Sequence, residues 1–386
     1  MFTKIKVTIV RLIQTMLFFI PVKKNRIMFL ANNRKGYVCN PAFLMDAIQH
    51  CKPDQFELIW ITRFPETCEK RKNVTIVRQR SWLYFFLFLR TKYFITNDMI
   101  DESLVKKRGQ IFLSTWHGGG AYKKVGECTQ KEDVYFASNF KKMYGRLDYF
   151  VSSCKVCTKL YADAFALDPR IFLETGTPRN DIFFQKHPEV VQRVRDFYHI
   201  EEHTRILLFA PSFQMSVPKK EDYDIQKLEH LAIKLQGETG EKWIILYRCH
   251  YFMEKESCFL ETGEISGLVK NGNSYYEMQD ILYTSDILVT DFSSCMWDFA
   301  LTGRPVIVLE KNIREYEKND RGFFIPYERW PFIKCETFIN IPEIIREFGQ
   351  SDFSDRYAKH FEEMGSFEQG NACQNIIDRI FEGQKE

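Results

Sequence analysis

Short apolar runs rich in β-branched and aromatic residues alternate with longer helical patterns along almost the whole chain, and this alternation limits the fold more than any other feature. Strand followed by helix followed by strand calls for parallel strands joined by crossover helices, hence for sheets covered on both faces. In the first half the spacing predicts strands at 26–31, 56–61, 74–77, 93–96, 111–115, 147–152 and 171–174. A polar, proline-bearing, helix-like passage at 186–202 intervenes, and the series restarts at 205–210, 243–248, 286–290 and 305–309. At 386 residues the chain exceeds the size at which single cores stop growing. The expectation is therefore an N-terminal segment, 1–24, followed by two doubly wound α/β domains, 25–192 and 193–386.

Composition narrows the function by exclusion. A net charge of +3 is too small for the basic stripe that a nucleic-acid partner requires, so none is expected. The eleven cysteines are scattered, without the paired spacing of a secreted disulfide framework, which fits a reducing compartment. Cys154 and Cys157 form a C-x-x-C, yet no second pair stands at finger-like spacing. Two small residues at a strand-to-helix join explain them more simply than zinc does.

The N-terminus is apolar from Ile9 to Val22 apart from Arg11, Gln14 and Thr15, too short to span a bilayer. Basic residues rather than a small-residue cleavage site follow it. Lys4, Lys6, Arg11, Lys23, Lys24 and Arg26 suit a helix lying on an anionic membrane surface, the alternative being a helix packed on the protein's own core. The run Trp82–Leu89, also too short to cross a bilayer, is expected as a buried helix, the alternative being one that dips into lipid.

In doubly wound proteins ligands bind beyond the carboxyl ends of the strands, and the chemistry-bearing residues cluster there. After 111–115 comes Trp116-His117-Gly118-Gly119-Gly120-Ala121-Tyr122-Lys123-Lys124. The glycines allow close backbone approach, His117 titrates near neutral pH, and the lysines carry charge suited to phosphate. After 171–174 comes Thr177-Pro178-Arg179-Asn180-Asp181, readable as a cleft loop or as a turn ending in a capping Asp. In the second half, Pro211-Ser212 and Arg248-Cys249-His250 close two strands. Thr290-Asp291-Phe292-Ser293-Ser294 stands before a helical pattern at 295–302, a ready phosphate site or a simple cap.

With these stretches in place the chain resembles the CDP-glycerol glycerophosphotransferases of teichoic acid and capsule synthesis. Thr115-Trp116-His117-Gly118, Thr177 to Asp181, Ala210-Pro211-Ser212, Arg248-Cys249-His250, Thr290 to Ala300 and Arg321-Gly322-Phe323 agree with the family in order and spacing over about residues 25 to 345. The resemblance implies a glycosyltransferase-B (GT-B) pair of Rossmann-type domains, the first handling the acceptor and the second the CDP donor. It implies that His117 is the catalytic base, that His250, Ser293 and Ser294 hold the donor phosphates, and that Asp291 organises their loop. Gly118, Lys123, Arg179, Asn180, Asp181, Ser212, Arg248 and Arg321 are further cleft residues on the same basis. No cofactor and no protein-bound metal are implied.

The implied reaction takes glycerol phosphate or ribitol phosphate from CDP-glycerol or CDP-ribitol to a lipid-linked or polysaccharide acceptor at the cytoplasmic membrane surface. One departure stands out: many members read His-Gly-Thr-Pro followed by Leu-Lys where this chain has three glycines, Ala121, Tyr122 and Lys123. The two competing readings are a CMP-sugar transferase of the bacterial sialyltransferase kind and a catalytically inactive membrane scaffold.

Overall fold

The computed structural model describes residues 4–31, 35–129, 143–212, 225–249, 266–310, 313–319, 322–349 and 351–382. The first sheet contains β1 (Lys23–Leu30), β2 (Glu57–Thr62), β3 (Val74–Arg78), β4 (Thr91–Thr96), β5 (Ile111–Ser114), β6 (Tyr149–Ser152) and β7 (Phe172–Glu174), in the order β3-β2-β1-β4-β5-β6-β7. The second contains β8 (Arg205–Ala210), β9 (Trp243–Tyr247), β10 (Val269–Asn271), β11 (Ile287–Thr290), β12 (Val306–Leu309) and β13 (Ile333–Cys335), in the order β10-β9-β8-β11-β12-β13. Every pairing is parallel.

This is the Rossmann order, once in each sheet, with the direction of winding reversing between β1 and β4 and again between β8 and β11. The run Ile27 to Leu30 and the whole of β11 are buried, as strands covered on both faces must be. Helices such as Cys39–Cys51 and Ile225–Thr239 supply the cover, through cores built on Phe29, Trp60 and Met45 in one sheet and on Phe209, Trp243 and Leu235 in the other.

Two compact units result. One comprises Met1–His117, Val125–Asp181 and Ser366–Glu386; the other comprises Gly118–Lys124 and Ile182–Gly365. Besides taking 1–24 into the first unit, they differ from the expected 25–192 and 193–386 in three places, each with a local cause. The helix Pro188–Tyr198 joins the second unit because Arg193 pairs with Asp280 at 2.7 Å and its Nε donates to the Tyr275 hydroxyl at 2.9 Å. The C-terminal stretch returns to the first unit, where the Asp181 carboxylate accepts from the backbone N–H of Ala372 and of Cys373, both at 2.9 Å. Gly118–Lys124 lies with the second unit through a backbone bridge described below.

Two strands lie where none was expected, β10 and β13. Both are three-residue edge strands, each with a lysine at its centre. Cys154 caps the helix Lys155–Phe165 through its sulfur, 3.3 Å from the Cys157 N–H, so the C-x-x-C does sit at a strand-to-helix join.

Candidate functional site

In the second unit the chain leaves β8 through Pro211 and Ser212 and leaves β11 through Asp291 to Ser294, on either side of the point where the winding reverses. The Ser212 N–H donates to Asp291 Oδ1 at 2.8 Å, and the Thr290 hydroxyl donates to the Ala210 carbonyl at 2.6 Å. These two bonds tie the strand ends together. Asp291 is buried, and its carboxylate ties the loop after β11 to the end of β8. Ser293 and Ser294 are half-buried. The helix that follows is Cys295–Ala300, shorter than the expected 295–302; Ser294 stands at its cap position without a side-chain capping bond. Six residues carry little macrodipole, so the polar character of this loop rests on its hydroxyls and neighbouring cations.

One such cation comes from a distance in sequence. Lys123 forms an antiparallel bridge with Phe323, and its Nζ donates to Ser212 Oγ at 3.1 Å. Lys123, Ser212 and Asp291 thus form a continuous polar chain within this unit. Arg248 is placed otherwise: its guanidinium donates to the carbonyls of Gly272, Tyr275 and Tyr276 at 2.6, 2.5 and 2.9 Å, clamping the loop after β10. Arg304 likewise closes the helix Met278–Thr284 by donating to the carbonyls of Leu282, Tyr283 and Ser285, and burial lowers its pKa to about 10. His250 and Arg321 lie outside the described residues.

In the first unit His117 follows β5 and is exposed. Its Nδ1 stands 2.9 Å from the Asn97 carbonyl. A carbonyl only accepts, so the neutral ring carries its proton on Nδ1 and Nε2 is left as the basic nitrogen. The residue before it, Trp116, has a positive φ of 50° and packs its ring against Phe150, Tyr161 and Phe165. Asn40, which the sequence reading passed over, holds this bend. Its amide donates to the carbonyls of Thr115 and Trp116 at 3.0 and 2.9 Å, and its Oδ1 accepts from the Arg179 N–H at 3.1 Å. A lone Asn at the start of a helix gives no local sign of such a role.

Arg179, Asn180 and Asp181 are engaged within the fold of this unit. Arg179 reaches the Cys39 sulfur at 3.1 Å, and Asn180 donates to Glu368 at 3.1 Å. Asp181 does cap a helix, but the one at Ala372–Ile377. Burial raises its pKa.

The N-terminal helix Lys4–Met16 is docked by its polar residues. Gln14 donates to the Ser103 carbonyl at 2.6 Å and accepts from the Val105 N–H at 3.2 Å, while Ile5, Ile9, Leu12 and Met16 face outward. Trp82–Leu89 is a helix as expected, yet only part of it is buried: Trp82 is 76% exposed, and Leu83 and Phe86 are exposed as well. Among the described residues no helix is long and apolar enough to cross a membrane.

The family described as CDP-Glycerol:Poly(glycerophosphate) glycerophosphotransferase matches residues 12–382. The chain belongs to that family. It is 27% identical over 371 residues to the teichoic acid glycerol-phosphate transferase of Staphylococcus aureus, covering 93% of each chain. It is 22% identical to the teichoic acid poly(glycerol phosphate) polymerase of Bacillus subtilis over 94% of its own length and 50% of the other's. The chain therefore spans about half the length of that relative, and also of the Staphylococcus epidermidis polymerase, of which it covers 52%. Among solved structures, the wall teichoic acid polymerase TagF superposes with a TM-score of 0.84 at 22% identity, covering 98% of this chain and 94% of that one. That likeness is one of fold, and the two-sheet α/β class of the GT-B kind expected from the sequence stands.

Proposed function

We propose that the chain transfers glycerol phosphate or ribitol phosphate from a CDP-activated donor to a hydroxyl of a lipid-linked or cell-surface polymer, forming a phosphodiester and releasing CMP. The observation that carries this reading is the family match through both units, with His117, Ser212 and Asp291 to Ser294 falling just after β5, β8 and β11.

Such a transfer needs a base for the attacking hydroxyl and stabilisation for the departing phosphate. His117 Nε2 takes the hydroxyl proton, its ring held by the Asn97 carbonyl through Nδ1. The hydroxyl oxygen bonds to the phosphorus nearer the polyol, and the bond from that phosphorus to the bridging oxygen breaks, its electron pair leaving with CMP. Ser293, Ser294 and His250 bear the donor phosphates, and Asp291 fixes their loop through Ser212. Gly118 continues directly from His117. By the same proposal the first unit handles the acceptor and the second the donor.

The outward apolar faces of Lys4–Met16 and Trp82–Leu89, with Lys4, Lys6 and Arg11 on the first, support a peripheral seat on an anionic, cytoplasmic membrane surface. A lipid-linked acceptor would be met there.

Mass spectrometry of products made with membrane lipid acceptors from CDP-glycerol, CDP-ribitol and a CMP-sugar tests the reading. Acceptor extended by polyol phosphate, with stoichiometric CMP, is the expected result. Extension only from the CMP-sugar, or from no donor, overturns it.

A further inference from the structure

We infer that Lys123 is a ligand of the donor diphosphate and that Tyr122 is the residue that positions it, an assignment that rests on the donor reading above. By sequence order the segment 118–124 belongs to the first half, with the proposed base. By structure it belongs to the unit containing Ser212 and Asp291.

Three features hold it there. Tyr122 is 3% exposed, its ring lying 5.0 Å from Trp330 and 5.7 Å from Phe332 and stacked on His360 at 5.9 Å. Its hydroxyl and His360 Nε2 are 2.9 Å apart in a buried hydrogen bond. Gly119 and Gly120 lie against Trp297 so closely that a Cβ on Gly119 would stand 2.2 Å from its Cδ1, and Gly120 also has φ +76°. The backbone is pinned on both sides of Lys123: the Phe324 N–H donates to the Tyr122 carbonyl at 2.8 Å, and the Lys124 N–H donates to the Gly322 carbonyl at 3.1 Å.

A lysine normally loses substantial rotamer freedom when it is immobilised on a ligand. Here its base is fixed by a buried tyrosine and two glycines packed on a tryptophan. Its head is delivered to Ser212 Oγ, 3.1 Å away, 5.3 Å from the Tyr316 ring centroid. Ser212 and Asp291 follow β8 and β11, the strands between which the winding reverses, where sheets of this kind take their ligands. A lysine point charge set beside the Ser212 hydroxyl suits a diphosphate. The bland alternative is that Lys123 merely balances the Asp291 carboxylate through Ser212.

The two roles separate in calorimetry on the full chain with CDP and with cytidine, which has no phosphate. Lys123→Met should weaken CDP binding by about tenfold to a hundredfold, the scale of a lost hydrogen bond to a charged group. Cytidine affinity and melting temperature should stay as in the unaltered chain. Lys123→Arg should recover most of the loss. Tyr122→Phe, which keeps the ring, should bind CDP nearly normally, whereas Tyr122→Leu should raise the donor KM with kcat preserved. Unaltered CDP affinity in Lys123→Met, or cytidine weakened as much as CDP, overturns the assignment while the donor reading survives. A chain that binds no CDP at all brings down both.

Discussion

At the carboxyl ends of the two sheets, similar loops meet different fates. After β5 and β7 in the first unit, Asn40, Arg179, Asn180 and Asp181 spend their hydrogen bonds on backbone carbonyls, backbone N–H groups and the C-terminal stretch. Beside that scaffold stands the exposed imidazole of His117. After β8 and β11 in the second unit, Lys123, Ser212 and Asp291 bond to one another beside two half-buried serines. The first arrangement can hold a base in one tautomer, whereas the second can gather charge around an anion. Acid–base chemistry needs a single well-aimed group, and a diphosphate needs several.

The contrast is broken most directly at His117. His117→Ala should lower turnover by about 10² to 10⁴ while CDP affinity, measured by calorimetry, is retained. Loss of CDP binding in that variant would mean that the imidazole belongs with the phosphate ligands.

Acidification should act on the two units in opposite senses. His360 in the second unit is held by burial at a pKa of about 4, against an ordinary 6.5. It stays neutral in the folded unit while the unfolded chain takes up a proton below pH 6.5. The stability this supplies is complete above pH 6.5 and is lost as pH falls toward 4, by on the order of 3 kcal/mol. Asp98 and Asp181 in the first unit have pKa values raised by burial. Their ionised forms burden the fold at neutral pH, and protonation relieves them as pH falls. Hydrogen exchange at pH 7 and pH 4.5 should therefore show peptides of the second unit losing protection first, and His360→Gln should remove the difference. Equal loss in both units would dissolve this part of the comparison.

The smallest effect is expected at Glu368, which accepts from the Thr177 N–H at 3.0 Å, from the Thr177 hydroxyl at 2.7 Å and from the Asn180 amide. Glu368→Ala should cost about 1–3 kcal/mol and a few degrees of melting temperature. The donor KM should not change; a raised KM would mean that the 177–181 loop takes part in donor binding after all.

Much of the fold was legible because buried parallel strands write continuous apolar runs: Arg205–Ala210 was read to the residue, and Trp243–Tyr247 within one. Val269–Asn271 and Ile333–Cys335 escaped because an edge strand of three residues with a central lysine has no such run. At the candidate site, the motif order placed Asp291, Ser293 and Ser294 correctly after β11. What local pattern does not record is pairing at long range. Tyr122 meets His360 across 238 positions, and Asp181 meets Ala372 across 191. Read along the chain, Lys123 therefore fell in the acceptor half and Asp181 looked like a cap for its own neighbours.

The path of the chain also sets a timetable for synthesis. It changes unit four times, after His117, Lys124, Asp181 and Gly365. When a ribosome has delivered β7 and its loop, Thr177, Asn180 and Asp181 still await partners encoded about 190 positions later. At roughly 5 to 20 residues per second that delay is tens of seconds. Through that interval the first sheet exists without its closing strap, which is encoded only after the whole of 182–365.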